Sequence, residues 1–247
     1  MQAVILAAGR GTRMGELTSA TPKPLLEVAG KTLLEHKLEM LPYDVDEIII
    51  IVGYLGGEIH DRFGGLWKDK HLLYVEQEKL DGTAGALWRA KSILKDRFLV
   101  LMGDDLYAKE DADRCIAMNG WTMLVQEESH ASRGGNVIVN DKGIITEIEE
   151  GDHRGKHGAT NTGLFALDTR IFDYALIPKS EGSEEFGLPQ TVLAASKKGK
   201  IPFEAVQATF WLQITDQTDL EKAEEFLSNT ANTPAADTPV PPQEPQV

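Results

Sequence analysis

Residues 47–52 read Glu-Ile-Ile-Ile-Ile-Val. Five successive β-branched residues stiffen the chain against a helix and leave no polar side to face water. Such a run fits a strand buried on both faces, the signature of a parallel sheet covered by helices. Its surroundings agree. Apolar strands are expected at Ala3–Ala7 and Arg97–Met102, and an alternating one at His71–Gln77. Helical spacing covers Thr32–Leu41 and Thr83–Leu94. This βαβαβα order implies a mainly parallel sheet with helices on both faces. At 247 residues the chain is long enough to bury a sizeable core.

After Gly120 the pattern changes. Short strands are expected at Trp121–Gln126, Asn136–Val139, Ile144–Glu149 and Gly163–Leu167, with Asn-Asp-Lys-Gly at 140–143 as a hairpin turn. Helices near Leu188–Lys197 and Thr218–Leu227 close the domain. The expected division is one domain over 1–228, with a first half at 1–119 and a mixed β half at 120–228. Residues 229–247 carry five prolines and little to bury, and are expected to be a disordered tail.

Thirty-nine acids against 25 bases give a net charge of −14. So acidic a chain repels nucleic acid and anionic membrane, and neither is an expected partner. A bound polyanion needs a local cluster of cations and amides, or a metal ion. The single cysteine, Cys115, leaves no internal disulfide or cysteine-rich zinc site and is expected in the core. No apolar run reaches the length of a membrane span, and VILAAG at residues 4–9 is too short for a signal core. A cytoplasmic location is expected.

The first strand runs into Ala8-Gly9-Arg10-Gly11-Thr12-Arg13-Met14-Gly15. Small residues let backbone amides approach phosphate oxygens, and loops at the carboxyl ends of parallel strands are where open α/β sheets bind ligands. Two phosphate motifs are excluded. No Lys-Ser or Lys-Thr pair follows the glycines as a P-loop requires. The dinucleotide fingerprint needs a third glycine where Met14 stands, and an acid where the chain reads Val52-Gly53. In this acidic chain Arg10, Arg13 and Lys23 nonetheless cluster here. Lys23 is stiffened by prolines on both sides, in Thr21-Pro22-Lys23-Pro24. Fixed cations beside glycine amides suit a triphosphate.

LAAGRGTRMGELTSATPKPLLEVAGKTLLEH, residues 6–36, resembles the opening signature of the sugar-phosphate nucleotidylyltransferases, the nucleotide-diphospho-sugar pyrophosphorylases. The likeness extends, with gaps, from Met1 to about Leu227. It implies a Rossmann-like, glycosyltransferase-A-like fold with a nucleotide-binding half and a smaller acceptor-binding half. It implies Mg²⁺-dependent joining of a nucleoside triphosphate to a sugar 1-phosphate, with release of pyrophosphate. By resemblance, Arg13 and Lys23 are the catalytic cations. Leu6, Ala8, Gly9, Gly11 and Thr12 hold the nucleotide, with Gln77, Gly82 and Thr83 at its base. Asp104, in Leu-Met-Gly-Asp-Asp, is the metal carboxylate. Gly135, Glu150, Asn161 and Gly163 meet the acceptor. No histidine needs a catalytic role.

Two departures from the family pattern stand out. The lysine that follows the glutamate in the family is missing, since the chain reads Glu150-Gly151-Asp152. His153, Arg154 and Lys156 are candidate substitutes. The family's second metal aspartate is replaced in Trp211-Leu212-Gln213-Ile214-Thr215-Asp216. Gln213 takes the matched position, and Asp216 is the alternative. Phosphocholine cytidylyltransferases share the opening signature and Val52-Gly53-Tyr54; tryptophans could line their acceptor pocket. A non-catalytic sensor of a nucleotide or nucleotide-sugar is the other alternative. The base, the acceptor and any homo-oligomer are left open.

Overall fold

The computed structural model describes residues 1–128, 133–152 and 158–231. The chain opens with β1 (Gln2–Leu6), 3-10 turns at Thr12–Thr18 and Lys23–Leu25, and the small pair β2 (Glu27–Val28) and β3 (Lys31–Thr32). There follow α1 (Leu33–Met40), β4 (Glu47–Val52), α2 (Gly56–Phe63), β5 (Leu66–Trp67), β6 (Lys70–Glu76) and α3 (Gly82–Arg89). Next come β7 (Arg97–Met102), β8 (Asp105–Tyr107) and α4 (Lys109–Ala117). The second half holds β9 (Trp121–Glu128), β10 (Arg133–Val139), β11 (Ile145–Asp152) and β12 (Gly158–Asp168). A 3-10 turn at Thr169–Asp173, α5 (Leu188–Gly199), β13 (Phe203–Gln207), β14 (Trp211–Gln213) and α6 (Gln217–Ala231) complete it.

Ten strands share one sheet, ordered β11-β10-β12-β7-β1-β4-β6-β5, with β9 beside β12 and β13 beside β9. Strands β7, β1, β4 and β6 are parallel. The isoleucine run behaves as its composition demands. Ile48 and Ile50 pack with Leu34 and Leu38 of α1, Ile59 of α2 and Cys115 of α4. Ile49 and Ile51 face the other way, with Leu87 of α3 and Leu188 and Val192 of α5. All four isoleucines are fully buried, each contributing on the order of 1.5–3 kcal/mol. Cys115 is a buried core residue, as expected, and burial pushes its thiol up to about 12.

β12 joins the halves. Its start pairs with β10 and its end with β7, while β9 runs along its other edge. The register against β9 shifts between Asn161 and Phe165, where β12 leaves β10 for β7. The proposed nucleotide and acceptor halves therefore share a single continuous sheet.

Two expected elements keep both of their bounds, β4 and β7. Thr32 starts α1 with a reciprocal cap, accepting from the Glu35 amide at 3.1 Å while Glu35 Oε2 accepts from the Thr32 amide at 2.7 Å. The hairpin turn at 140–143 is also present: the Asn140 carbonyl accepts from Gly143 N at 2.9 Å. α3 is shorter than its apolar spacing suggests. Beyond Arg89 the backbone tightens into turns, with Ala90 N donating to the Leu87 carbonyl at 3.0 Å and Lys91 N to the Trp88 carbonyl at 3.2 Å. α6 runs on to Ala231. The remaining tail, 232–247, and the candidates His153, Arg154 and Lys156 lie outside the described residues. Among the described residues no helix is long and apolar enough to cross a membrane.

Candidate active site

β1 ends at Leu6 between two parallel neighbours, and the chain leaves its carboxyl end over both. Ala7 N donates to the Ile51 carbonyl at 2.8 Å, and Gly103 N donates to the Leu6 carbonyl at 2.9 Å. The glycine-rich loop thus rests on the ends of β4 and β7. Both contact points need a residue without a side chain. A Cβ on Gly53 would lie 2.8 Å from Ala8 O, and one on Gly103 would lie 2.8 Å from Leu6 O. Val52-Gly53, which excluded the dinucleotide motif, is explained by this close approach.

Above the strand ends lies a cleft of about 540 Å³. Its floor holds Leu6, Ala8, Gly9, Gly11, Thr12 and Arg13 of the loop. Gln77, Gly82 and Thr83 line one side. Asp104, Gln213 and Lys23 line another, and Gly135, Asn161 and Gly163 face them from the second half. Arg13, Lys23 and Asp104 therefore share one cleft. Of the residues singled out in the sequence, Glu150 alone is placed only by its backbone, which pairs with Gly135 across β10 and β11.

Lys23 is the hinge pin of the site. Only 6% exposed, it rises from the turn between Pro22 and Pro24. Its Nζ donates to Asp104 Oδ2 at 2.6 Å and to the Ile214 carbonyl. One ammonium thus ties the loop after β1 to the ends of β7 and β14. A Cβ on Gly11 would stand 3.1 Å from Lys23 Cβ, so the loop lies directly on the lysine stem.

Asp105, next to Asp104, turns the other way and is buried. Its Oδ2 accepts from Trp211 Nε1 at 3.2 Å, pinning β14 to β8. Burial, with Asp104 beside it, raises the Asp105 carboxyl well above the usual range. Lys37 shares a small cavity of about 70 Å³ with it. Its Nζ has no hydrogen-bond partner among the described residues, lies 5.1 Å from the Tyr107 ring centre, and is pushed down to about 8 by burial.

The second half shapes the facing side of the cleft. Gly163, at φ +82°, sits where β12 changes partners, and a Cβ there would lie 2.3 Å from Met102 Cγ. Asn161 Oδ1 accepts from the Gly163 amide at 2.9 Å, which leaves the Asn161 amide nitrogen, without a partner among the described residues, as its polar group at the cleft. Asp216 stands apart from the cleft. It does not line the cleft, and its Oδ1 accepts from Asp219 N at 3.2 Å at the start of α6. Gln213 and Thr215 line the cleft instead.

The four tryptophans lie elsewhere. Trp67 packs on Phe63, Trp88 packs on Phe172, and Trp121 is buried with its Nε1 donating to Asp168 at 2.9 Å. Trp211 is held by Asp105, and none of the four lines the cleft. No described histidine lines it either.

Sequence reasoning missed one wall. The segment Ile177–Gly187 folds back on itself, with Gly187 N donating to the Ile177 carbonyl at 3.0 Å and Lys179 N to the Glu185 carbonyl at 2.8 Å. It brings Lys179, Glu185 and Phe186 to the cleft. Lys179 makes no ion pair among the described residues. Nothing in its local sequence sets it apart from a polar surface loop.

Similarity to known proteins follows the same outline. Bifunctional protein GlmU of Methanocaldococcus jannaschii is 32% identical over 94% of this chain and 56% of its own length. UTP–glucose-1-phosphate uridylyltransferase AglF of Haloferax volcanii is 28% identical over 92% of this chain and 96% of its own. A solved Bacillus anthracis structure, provisionally designated a glucose-1-phosphate thymidylyltransferase, superposes with a TM-score of 0.78 at 25% identity. It covers 92% of this chain and 94% of that one. The chain spans about half the length of the first curated relatives it matches. Residues 2–230 match the model of the nucleotidyl transferase family, and with the glycine loop, Lys23 and Asp104 gathered in one cleft, the chain belongs to that family.

Proposed function

We propose that the protein is a sugar-1-phosphate nucleotidylyltransferase, which makes a nucleoside diphosphate sugar and pyrophosphate. The observation that carries this is the meeting of Arg13, Lys23, Asp104 and the loop amides in one cleft. AglF, matched over nearly its whole length, bears the name of such an enzyme.

An oxygen of the acceptor phosphate forms a bond to the α-phosphorus, and the bond from that phosphorus to the β-bridging oxygen breaks. Little covalent work is left for the protein, so positioning and charge neutralisation supply the rate. Arg13 and the loop amides hold the departing β- and γ-phosphates. Lys23, fixed by two partners, bridges the α-phosphate and the incoming phosphate. Lys179, on the turn that also bonds Asp81, lines the cleft with no ion-pair partner among the described residues, and takes the acceptor phosphate in place of the family lysine. Asn161 donates to an acceptor hydroxyl, and the missing side chain of Gly163 leaves room for the ring.

The donors near Asp104 are all oxygens: its own carboxylate, the Gln213 amide and Thr215, with no thiol or imidazole. That set fits Mg²⁺, a hard cation that uses one or two carboxylates and completes its shell with phosphate oxygens and water. Asp104 and Gln213 would hold it, and it would supply charge neutralisation between the two phosphates. Placement of all four tryptophans outside the cleft favours a sugar over a trimethylammonium acceptor.

The test is a matrix of four triphosphates against a panel of sugar 1-phosphates and phosphocholine. Pyrophosphate release is read with Mg²⁺ and with chelator. Turnover on a sugar 1-phosphate that stops with chelator is expected. Nucleotide binding without turnover on any acceptor would show a sensor instead.

A further inference from the structure

Gln77 lines the cleft and is 5% exposed. Its Nε2 donates to Asp81 Oδ1 at 2.8 Å and to the Gly82 carbonyl at 3.1 Å. Both partners only accept. The amide cannot turn over without setting its oxygen against a carboxylate and a carbonyl. Its Oε1, with no partner among the described residues, is therefore left for a ligand.

Asp81 is itself held. Arg89 Nη2 donates to its Oδ2 at 3.1 Å, from one face of α3. The Asp81 carboxylate lies where the side chain of residue 85 would stand. A Cβ on Gly85 would be 2.0 Å from Asp81 Oδ1. The backbone is fixed as well. Phe186 N donates to the Asp81 carbonyl at 2.7 Å, and Ala84 N donates to the Phe186 carbonyl at 3.0 Å. Gly82, at φ +94°, passes so close that a Cβ would lie 2.4 Å from Phe186 O. Arg89, Asp81 and Gln77 form a fixed relay that ends in one acceptor oxygen.

We propose that Asp81, braced by Arg89 and given room by Gly85, is a positioning residue that locks the Gln77 amide with its oxygen toward the base, and so selects nucleotides whose ring nitrogen carries a hydrogen. Uracil, thymine and guanine present an N–H at that place. Cytosine and adenine in the same pose present a lone pair, which the Gln77 oxygen repels. This specificity rests on the transferase reading above, since it assigns the base end of the same cleft.

Wild type and the variants Asp81→Asn and Gly85→Ala are compared on UTP, dTTP, GTP, CTP and ATP. Turnover gives kcat/KM, calorimetry gives Kd for each triphosphate without acceptor, and melting confirms folding. Wild type is expected to prefer its best N–H base at least about tenfold over CTP and ATP in both measurements. In Asp81→Asn, Arg89 keeps the oxygen of the new amide, and its NH₂ faces Gln77. The preference should then fall about tenfold or more. Gly85→Ala, in a helix that alanine favours, should displace the carboxylate and lower the preference in a folded protein. A wild type that favours CTP or ATP overturns the proposal, as does a folded variant that keeps the wild-type ratio. If Asp81→Asn fails to fold, Gly85→Ala decides by the same ratio. Loss of turnover on every acceptor with the binding preference intact sinks the transferase reading and leaves the relay standing.

Discussion

Replacing Lys23 with methionine keeps most of the stem that lies under Gly11 and removes the ammonium. Two bonds go with it, the charge-assisted one to Asp104 and the one to the Ile214 carbonyl. The Asp104 side chain is 39% exposed and stays solvated, so its loss of a partner costs little. The Ile214 carbonyl sits beside a lysine that is 6% exposed and loses a buried donor, at roughly 1–3 kcal/mol. For a domain of this size that lowers the melting temperature by roughly 2–4 °C per kcal/mol. Catalysis should suffer more. Loss of one preorganised donor from a charge-stabilising site typically costs about 10²–10³ in kcat, or ~2.7–4 kcal/mol of barrier. Pyrophosphate release and a thermal melt, run on the same preparation, separate the two effects. A folded Lys23→Met protein with kcat within about threefold of wild type would refute the role assigned to this ammonium.

Other substitutions probe the remaining parts. Gly163→Ala forces a side chain to φ +82° and against Met102; a loss of about 1–3 kcal/mol and a raised acceptor KM are expected from melts and kinetics. Lys179→Gln should raise KM for the sugar 1-phosphate about tenfold or more while leaving KM for the triphosphate nearly unchanged; equal effects on both would remove Lys179 from the acceptor side. Lys37→Met tests the buried ammonium through pH. The folded state holds this group below its unfolded value, to about 8. Above that pH the unfolded chain binds the extra proton, so stability rises with pH until the unfolded group also titrates. Wild type should therefore gain on Lys37→Met between about pH 8 and 10, by at most ~1.4 kcal/mol per unit. Chemical denaturation at three pH values reads the slope, and a flat difference would contradict it.

Local patterning was enough to identify the framework. Burial on both faces leaves a continuous apolar run, so β4 and β7 were legible to the residue, and apolar spacing placed α1 to within one residue at each end. The glycine loop and its cations were legible because short-range chemistry concentrates there. Other elements left weaker traces. α2 opens on two glycines and buries only Ile59 and Phe63, and β8 and β14 have three residues each.

Sheet order and chain reversal, by contrast, bring together groups with no common local signal. Lys23 meets partners 81 and 191 residues away. The turn at Ile177–Gly187 carries Lys179 to the cleft and clamps Asp81. That Gln213 lines the cleft and Asp216 does not depends on where β14 ends and α6 begins. Periodicity reports which side of an element is covered. What covers it, and which polar atoms then meet, is settled by packing between distant segments, where each buried donor must find its acceptor.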